Sequence, residues 1–460
     1  MEKETSGHSL STMATQQAEG VTLTLITETP KKNGSTEDDY DPHLHRETPN
    51  ATSNFETLVH LLKCSLGTGI LAMPQAFAKA GLVTGTIATV LIGILLTYCL
   101  HILVSSQYRL CKKERVPLLT YPESMKVALR HGPSCLRPFA NISAPIVDVF
   151  IVVYQLGIGC VYIVFIAENV KSLVDPIYEM SLTLYMVIVM VPLLCFTMIR
   201  DLKRLAPFSL VANVLTLIGV CVVVYFLLAL ERKQGDLDLW GSFSTFPLFF
   251  GTVLFALTAV GVVITLENNM QNPKSFGSTF GVLNVGMAFI VLLYVAVGVL
   301  GYLFCLSDCR DSITLNLPKQ PLPMVVLGLF AVAILISYVL QCYVPVEIVW
   351  KTYVRPKLVE REVKKLLLWE YVLRVGLCLL TFILAVCIPL LGLFISLFGA
   401  LCLSVLGLCF PAILELCSKW GTPSLGKGTI VKDILIVIFG IVGMIAGTYT
   451  TMLSIVRALS

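Results

Sequence analysis

Two glycines interrupt an apolar stretch that runs from Leu61 to Phe77. Gly67 and Gly69 lie near its middle, with Thr68 between them. Glycine costs about 1 kcal/mol in a helix interior relative to alanine, so the pair marks a place where a helix can open. An opened helix exposes backbone N–H and C=O groups and the positive end of a half-helix, and this combination suits a carboxylate.

Two interpretations of the glycine pair are open at this point. In the first, the helix is opened and a carboxylate contacts the backbone from Ser65 to Ile70, with the Thr68 hydroxyl as an added donor. In lipid, opened backbone survives only where it is buried in protein or lines a cavity, so this interpretation requires an enclosed site. In the second, the glycines only let a neighbouring helix pack closely.

A second weak point lies in a later apolar segment, where Thr258 and Ala259 form a small, polar stretch that ends at Gly261. It comes five apolar segments after the first, so the two segments cross a membrane in opposite directions. Paired interruptions in oppositely directed segments indicate a binding site at mid-membrane. We therefore expect an ammonium group to meet carbonyl oxygens freed between Leu257 and Val260. The alternative is a continuous helix whose small residues serve packing.

His60 lies at the inner end of the first of these stretches. The histidine pKa is near physiological pH, and burial or a neighbouring charge moves it across the working range. His60 is therefore a candidate for proton exchange. The alternative is a histidine at the level of the lipid headgroups that hydrogen-bonds to water.

The composition indicates an integral membrane protein. Of 460 residues, 56% are hydrophobic and 13% are charged, against about 25% charged in ordinary soluble domains. The net charge of +4 gives no reason to expect nucleic acid as a partner. Most of the fifteen cysteines lie inside apolar runs without metal-ligand spacing, so we expect no metal and no cofactor. No nucleophile–base pattern is present, which argues against an enzyme.

Eleven apolar segments follow a polar start, and most reach the roughly 20 residues that cross a bilayer. Their approximate bounds are 56–80, 82–106, 143–170, 181–199, 205–230, 246–270, 277–305, 321–350, 371–388, 392–415 and 430–457. Residues 1–54 are predicted to be a disordered cytosolic tail, and residues 55–460 form the transmembrane domain. Between segments 2 and 3, the residues from Tyr121 to Leu129 predict a short capped helix at the inner surface.

Lysine and arginine are concentrated in alternate loops. The loops after segments 2, 4, 8 and 10 hold most of them, and the loops between hold few. Because positive loops stay in the cytosol, the N-terminus is predicted to be cytosolic. Eleven crossings then leave the C-terminus extracellular or lumenal.

Five stretches, in order, resemble the proton-coupled amino acid transporters. They are His60-Leu61-Leu62-Lys63 with Gly67-Thr68-Gly69-Ile70-Leu71 and Pro74, Gln155-Leu156-Gly157 with Cys160-Val161-Tyr162, Pro247-Leu248-Phe249-Phe250-Gly251-Thr252, Ser312-Ile313-Thr314-Leu315-Asn316-Leu317-Pro318, and Gln341-Cys342-Tyr343-Val344-Pro345-Val346-Glu347-Ile348. In the tail, Asp39-Tyr40-Asp41-Pro42-His43 resembles insect members in particular.

The resemblance implies the amino acid/auxin permease group. Its fold would be an all-α membrane protein of about eleven helices, a LeuT-like five-plus-five inverted repeat with helices 1 and 6 broken. The repeats would cover about 56–230 and 246–415, with an extra helix at about 430–457. The implied activity is symport of small neutral amino acids with protons, at the plasma membrane or the lysosome, and His60 becomes the proton-coupling candidate.

Two tyrosines and two glutamates gain possible roles in this architecture. Tyr154 and Tyr338 lie near mid-span on segments that would flank the broken pair, where each either contacts substrate or makes a structural hydrogen bond. Glu267 and Glu347 fall near cytosolic helix ends, where we expect salt bridges with nearby cations.

The chain departs from the family in two places. Where the family usually has Glu and Gly in the sixth helix, this chain has Thr258 and Ala259, and Thr265 stands where proline is common. The loss of an intramembrane carboxylate removes a possible proton or ammonium partner. In addition, Lys319 and Gln320 occupy the place of a cysteine that takes part in an external disulfide in mammalian members.

Two other functions therefore stand beside proton symport. One is an amino-acid sensor that binds its ligand but moves little of it. The other is an uncoupled facilitator, whose transport would follow the amino-acid gradient and ignore pH.

Overall fold

The computed structural model describes residues 40–46, 51–200, 202–229, 235–257 and 260–459. All of its regular elements in these ranges are helices. The α-helices are α1 (Asn54–Ser65), α2 (Thr68–Ala80), α3 (Leu82–Glu114), α4 (Tyr121–His131), α5 (Ala140–Val174), α6 (Leu182–Thr197), α7 (Leu202–Ala229), α8 (Phe246–Leu257), α9 (Val260–Asn268), α10 (Val282–Cys305), α11 (Pro321–Glu347), α12 (Arg355–Glu360), α13 (Leu366–Cys387), α14 (Leu391–Phe398), α15 (Phe410–Ser418) and α16 (Lys427–Leu459). Wider π-helical turns join α11 to α12 and α14 to α15.

Each of the eleven predicted segments corresponds to one helix or one helix pair. Within the described ranges, eight helices are long and apolar enough to cross a membrane, and the bent pair of α1 and α2 makes nine. The other two segments are α6, which is shorter, and α8 followed by α9. The chain is thus an all-helical membrane protein, in agreement with the expected eleven-helix fold.

Large apolar side chains cover the outside of the bundle. Leu292 on α10 is 69% exposed and Ile445 on α16 is 60% exposed, and similar residues line α3, α7 and α13. So much exposed apolar surface would be unstable in water and is stable against lipid acyl chains.

Segments 1 and 6 run antiparallel and are joined backbone to backbone at both ends. At one end, the Thr52 N–H donates to the Asn269 carbonyl at 2.8 Å, and the Thr52 carbonyl accepts from the Gln271 N–H at 2.9 Å. At the other end, the Gly241 N–H donates to the Ala80 carbonyl at 2.8 Å. Between these ends, α1 packs against α9 and α2 packs against α8. The opposite directions predicted for the two segments are therefore observed.

Gly81 makes the turn between α2 and α3. Its φ of +80° lies in the region that favours glycine. A Cβ there would lie 2.4 Å from the Gly241 nitrogen and 2.8 Å from the Leu239 oxygen. The close approach of the chain before α8 therefore requires glycine at this turn.

Part of the predicted disordered tail is folded onto the bundle. Residues 1–39 and 47–50 lie outside the described residues, but Pro42–His45 forms a 3₁₀ turn between them. The Arg46 guanidinium contacts both Glu267 carboxylate oxygens, at 3.0 and 3.1 Å, and its Nε donates to the Pro117 carbonyl. For this segment the structure differs from the prediction, because charged groups from distant parts of the chain complete its contacts.

Asp41 adds to the docking of the same segment. Its carboxylate accepts from the His43 backbone N–H at 3.0 Å and from the Tyr108 hydroxyl at 3.3 Å, and it lies 3.4 Å from the Lys274 ammonium. Burial acts to raise the pKa of Asp41, but the His43 N–H and Lys274 hold that pKa below its ordinary value. The carboxylate is thus charged in its docked position.

The predicted short capped helix and the predicted helix-end salt bridges are present; the position of this helix at the inner membrane surface stays a prediction. Thr120 and Glu123 form a capping box at the start of α4, and the Tyr121 hydroxyl of this helix donates to the Leu406 carbonyl at 2.7 Å. Glu267 pairs with Arg46, and Glu347 pairs with Lys351 one helical turn later.

A disulfide that the sequence analysis did not anticipate joins Cys305 to Cys309. It links the last residue of α10 to the loop that follows, well before Lys319 and Gln320. The disulfide therefore closes a short ring of residues at the start of the loop between α10 and α11.

Candidate functional site

The first segment is opened at the predicted glycines. Helix α1 ends at Ser65, α2 begins at Thr68, and the two axes differ in direction by 55°. Between them, Leu66 has a ψ of 94° and Gly67 is extended, with φ −141° and ψ −159°. The N-terminus of α2 and the C-terminus of α1 therefore present backbone donors and acceptors inside an apolar bundle.

The two glycines serve different purposes. A Cβ at Gly67 would meet no heavy atom within 4 Å, so there is open space beside the break. A Cβ at Gly69 would lie 2.7 Å from the Ala256 Cα, against the backbone of α8. The structure thus shows an opening at Gly67 and a close helix contact at Gly69. That a carboxylate binds at the opening stays a prediction.

The contact between Gly69 and Ala256 brings the two weak points of the sequence together. Helix α8 ends at Leu257, which is fully buried, and α9 begins at Val260. Thr258 and Ala259 lie outside the described residues, so the form of the second interruption stays a prediction. Beyond it, a Cβ at Gly261 would again meet no heavy atom within 4 Å.

The other backbone candidates of the first segment are buried around the break. Ser65 is 5% exposed, Thr68 3% and Ile70 0%. The Ser65 hydroxyl bonds the Leu61 carbonyl of its own helix at 2.9 Å, so it is engaged locally. The hydroxyl hydrogen of Ser65 is therefore already donated within α1.

Tyr294 of α10 is a residue that the sequence analysis missed. Its side chain is fully buried and its hydroxyl donates to the Ser65 carbonyl, the last carbonyl of α1. This bond satisfies an acceptor that the break would leave without a partner. The sequence could have indicated this residue in one way: a tyrosine in an apolar helix has a hydroxyl that needs a hydrogen-bond partner.

The two tyrosine candidates differ in their surroundings. The Tyr154 ring of α5 packs edge-on against Phe255, with 6.1 Å between ring centroids, and so lies beside the end of α8. The Tyr338 hydroxyl bonds the Thr381 hydroxyl at 2.8 Å and the Cys378 sulfur at 3.3 Å, both on α13. For Tyr338 these contacts favour the structural alternative.

His60 is half-buried on α1, five residues before Ser65. That spacing corresponds to about 7.5 Å along a helix axis. Glu56 and Lys63, on the same helix, are the charged groups that act on it. The imidazole therefore lies on the half-helix that leads from the N-terminal end of the first segment to the break.

Most of the chain is similar to known amino acid transporters. Residues 50–453 match the family described as "Transmembrane amino acid transporter protein". The chain is 37% identical over 433 residues to the "Proton-coupled amino acid transporter-like protein pathetic" of Drosophila melanogaster, which covers 92% of this chain and 89% of the relative. It is also 27% identical over 431 residues to "Amino acid transporter AVT3C" of Arabidopsis thaliana, covering 90% and 93% of the two chains.

These matches extend over nearly all of the sequence, including both helices that flank each weak point. They agree with the opened backbone described above, because a transporter must hold its ligand inside the bilayer. The chain belongs to the transmembrane amino acid transporter family.

Proposed function

We propose that this protein is a secondary active transporter that carries small neutral amino acids together with protons by alternating access. The observation that carries the proposal is the 55° break between α1 and α2 at the point where α2 touches α8. The name of the Drosophila relative, which includes proton coupling, supports the same function.

The amino-acid carboxylate would bind the N–H groups at the start of α2, near Thr68, Gly69 and Ile70. Gly67 is the N-cap residue of this helix and has no side chain to occupy those donors. The helix dipole adds a favourable field of about half a unit charge. The open space beside Gly67 allows the ligand to approach the backbone.

The ammonium group would bind the carbonyl groups at the end of α8, from Leu257 through Thr258 and Ala259, with Gly261 beyond. Tyr154, packed on Phe255, would form one wall for the side chain of the amino acid.

His60 is the proposed proton-coupling residue. A histidine suits this role because its pKa lies near physiological pH, and Thr258 offers no carboxylate that could exchange the proton instead. In the proposed orientation its half-helix faces the cytosol, the N-terminus is cytosolic and the C-terminus is extracellular or lumenal. The membrane is the plasma membrane or that of the lysosome.

The test is uptake and current across a panel of amino acids, at acidic and at neutral outside pH. We expect current that small neutral amino acids evoke and that acid increases. His60→Ala should remove most of the acid stimulation, while His131→Ala, on the surface helix α4, should keep it. Binding without uptake would indicate a sensor. Uptake that ignores pH and carries no current would indicate a facilitator, because a neutral amino acid moves no net charge.

The site itself is tested by Gly67→Leu, with Gly376→Leu as the matched control. A side chain at either glycine has room in the structure, but Gly67 lies at the break and Gly376 is exposed on α13. We expect Gly67→Leu to reach the membrane and lose uptake, and Gly376→Leu to keep it. Normal uptake by Gly67→Leu would contradict the proposed site.

A further inference from the structure

Two arginines share one glutamate where α6, α11 and α13 meet. The Glu370 carboxylate of α13 accepts from the Arg200 Nε at 3.1 Å and from the Arg200 Nη2 at 2.8 Å. The same carboxylate accepts from the Arg374 Nε at 3.2 Å and Nη2 at 3.1 Å, one helical turn further along α13. The group of Arg200, Glu370 and Arg374 therefore carries more positive than negative charge.

This positive charge is held in a fixed place. Arg374 is 7% exposed, its Nη1 donates to the Thr197 carbonyl at the end of α6 at 3.3 Å, and its guanidinium carbon lies 5.8 Å from the centre of the Tyr343 ring. Among the described residues, Glu370 is the one carboxylate that pairs with either guanidinium group. A charge left over in so dry a place attracts an anion.

An apolar cleft opens beside Arg374. It lies between α6, α11 and α13, and its apolar lining residues are Ile199, Val339, Val346 and Leu377. A cation at the edge of an apolar cleft matches an amphiphile that has an anionic head and a hydrocarbon chain. Basic pockets of this kind between membrane helices are known to hold lipid headgroups.

The cleft lies near the level of the lipid headgroups. Trp369 precedes Glu370 on α13 and is exposed, and exposed tryptophan is enriched at the membrane–water interface. Lys364 and Lys365, directly before α13, are exposed as well. In the proposed orientation this end of the bundle is cytosolic, and the cytosolic leaflet carries the anionic lipids.

We propose that the cleft between α6, α11 and α13 binds an anionic phospholipid of the cytosolic leaflet. The headgroup phosphate binds the Arg200 and Arg374 guanidinium groups, and an acyl chain lies along Val339, Val346 and Leu377. The inference goes beyond the proposed transport and does not depend on it. The proposed orientation only names the leaflet that supplies the lipid.

The donors for the phosphate follow from the hydrogen bonds already made. In the described part of the chain, Glu370 occupies the Nε and Nη2 of Arg200 and leaves its Nη1 without a partner. Each Nη of a guanidinium carries two hydrogens, so Arg374 also keeps donors beyond those bonded to Glu370 and Thr197. Arginine holds phosphate oxygens with parallel hydrogen bonds, and the excess charge favours an anionic headgroup over a zwitterionic one.

The test counts lipid molecules bound to the full chain by native mass spectrometry. Protein purified in a neutral detergent is titrated with dioleoyl phosphatidylserine and, separately, with dioleoyl phosphatidylcholine, which has the same acyl chains and no net charge. Arg200→Gln removes the excess charge and leaves Glu370 paired with Arg374. Arg137→Gln is the matched control, because Arg137 is also exposed, lies at the same predicted cytosolic end and donates to the Gly132 carbonyl instead of a carboxylate.

For the first bound phosphatidylserine, we expect Arg200→Gln to raise the apparent Kd by about five- to tenfold, the effect of losing one cation beside the phosphate. Arg137→Gln should match the wild type, and phosphatidylcholine should bind the wild type more weakly than phosphatidylserine does. Equal values of Kd for phosphatidylserine in the two variants would overturn the proposal. Equal affinity of the wild type for the two lipids would overturn it as well.

Leu377→Trp tests the apolar part of the cleft without changing a charge. The indole would occupy space that the acyl chain needs, so the Kd for phosphatidylserine should rise by about fourfold or more, the effect of one acyl methylene group that is no longer buried. Leu379→Trp is the matched control, because Leu379 is exposed on the same helix outside the cleft. If Arg200→Gln does not fold, this pair decides the question, and equal affinity of the two tryptophan variants rejects the site.

Inorganic phosphate separates a lipid headgroup from a soluble anion. It offers the same oxygens to Arg200 and Arg374 but has no chain to place along the apolar walls. An equal concentration of phosphate should leave phosphatidylserine binding by the wild type unchanged. If phosphate displaces the lipid, the cleft is a site for a free anion and the lipid assignment is wrong. None of these measurements requires transport, so failure of the proposed function would leave their outcome unaffected.

Discussion

At the residue scale, hydrogen-bond partners separate side chains that are alike in the sequence. Tyr294 and Tyr338 are both fully buried tyrosines in long apolar helices. The Tyr294 hydroxyl bonds the Ser65 carbonyl at the break, whereas the Tyr338 hydroxyl bonds Thr381 on α13. The first therefore supports the geometry of the proposed site, and the second supports the packing of the surrounding helices.

We expect Tyr294→Phe to lower the apparent affinity for substrate by about three- to tenfold, which corresponds to about 0.6 to 1.4 kcal/mol. The reason is that the Ser65 carbonyl loses its partner and the end of α1 is no longer held in place. Tyr338→Phe should lower thermal stability and leave the affinity unchanged. Uptake as a function of substrate concentration tests this, and the opposite pattern would restore Tyr338 as a substrate contact.

At the scale of elements, the site depends on how closely α2 and α8 approach. Gly69 has no room for a side chain because the Ala256 backbone occupies that space, whereas Gly67 has no such neighbour. The extended conformation of Gly67 is also one that other residues adopt. The break and the helix contact can therefore be tested separately.

Gly69→Ala should destabilise the protein by about 1 to 3 kcal/mol, the usual cost of overpacking, because α2 must move away from α8. Gly67→Ala should change stability by less than about 0.5 kcal/mol, as expected at a position without steric conflict. Thermal unfolding of the two purified variants in detergent gives the comparison. Equal losses of stability would mean that the two glycines are not distinguished in the way the structure indicates.

At the scale of the whole molecule, polar links hold both ends of the opened segment. At one end, the Asp311 carboxylate accepts from the Gln75 side-chain amide of α2 and from the Gly392 N–H of α14. At the other end, Arg46 and His43 of the docked segment Tyr40–Arg46 contact the Glu267 carboxylate of α9. The Arg46 and Glu267 side chains are only 5% and 7% exposed. Removal of one partner would leave a buried charge uncompensated, which costs more than the pair itself contributes.

Arg46→Met is therefore expected to lower stability by about 3 to 5 kcal/mol, and the double variant with Glu267→Met should recover part of this loss. A double-mutant cycle by thermal unfolding measures the coupling. The comparison pair is His131 and Glu114, which is partly exposed, and Glu114→Gln there should cost less than about 1 kcal/mol. A small effect of Arg46→Met on stability would show that the segment Tyr40–Arg46 does not dock onto the helix bundle.

The sequence alone determined the features that depend on local pattern. The apolar runs predicted the membrane helices, the glycine pair predicted the break after Ser65, and the capping residues predicted α4. These predictions succeed because each depends on residues that are near one another in the sequence: the length of an apolar run, the low helix propensity of glycine, and the side chain that caps a helix.

The tertiary structure decided everything that depends on distant partners. In the folded chain the segment opens at Gly67 and contacts α8 at Gly69, and the Tyr294 hydroxyl bonds the Ser65 carbonyl. Tyr40–Arg46 packs onto Glu267, and Asp311 lies between α2 and α14. In each case the two groups lie in different segments, and no periodicity within one segment encodes which buried donor meets which acceptor. Packing makes that choice, because every polar group taken into the bundle must find its partner there.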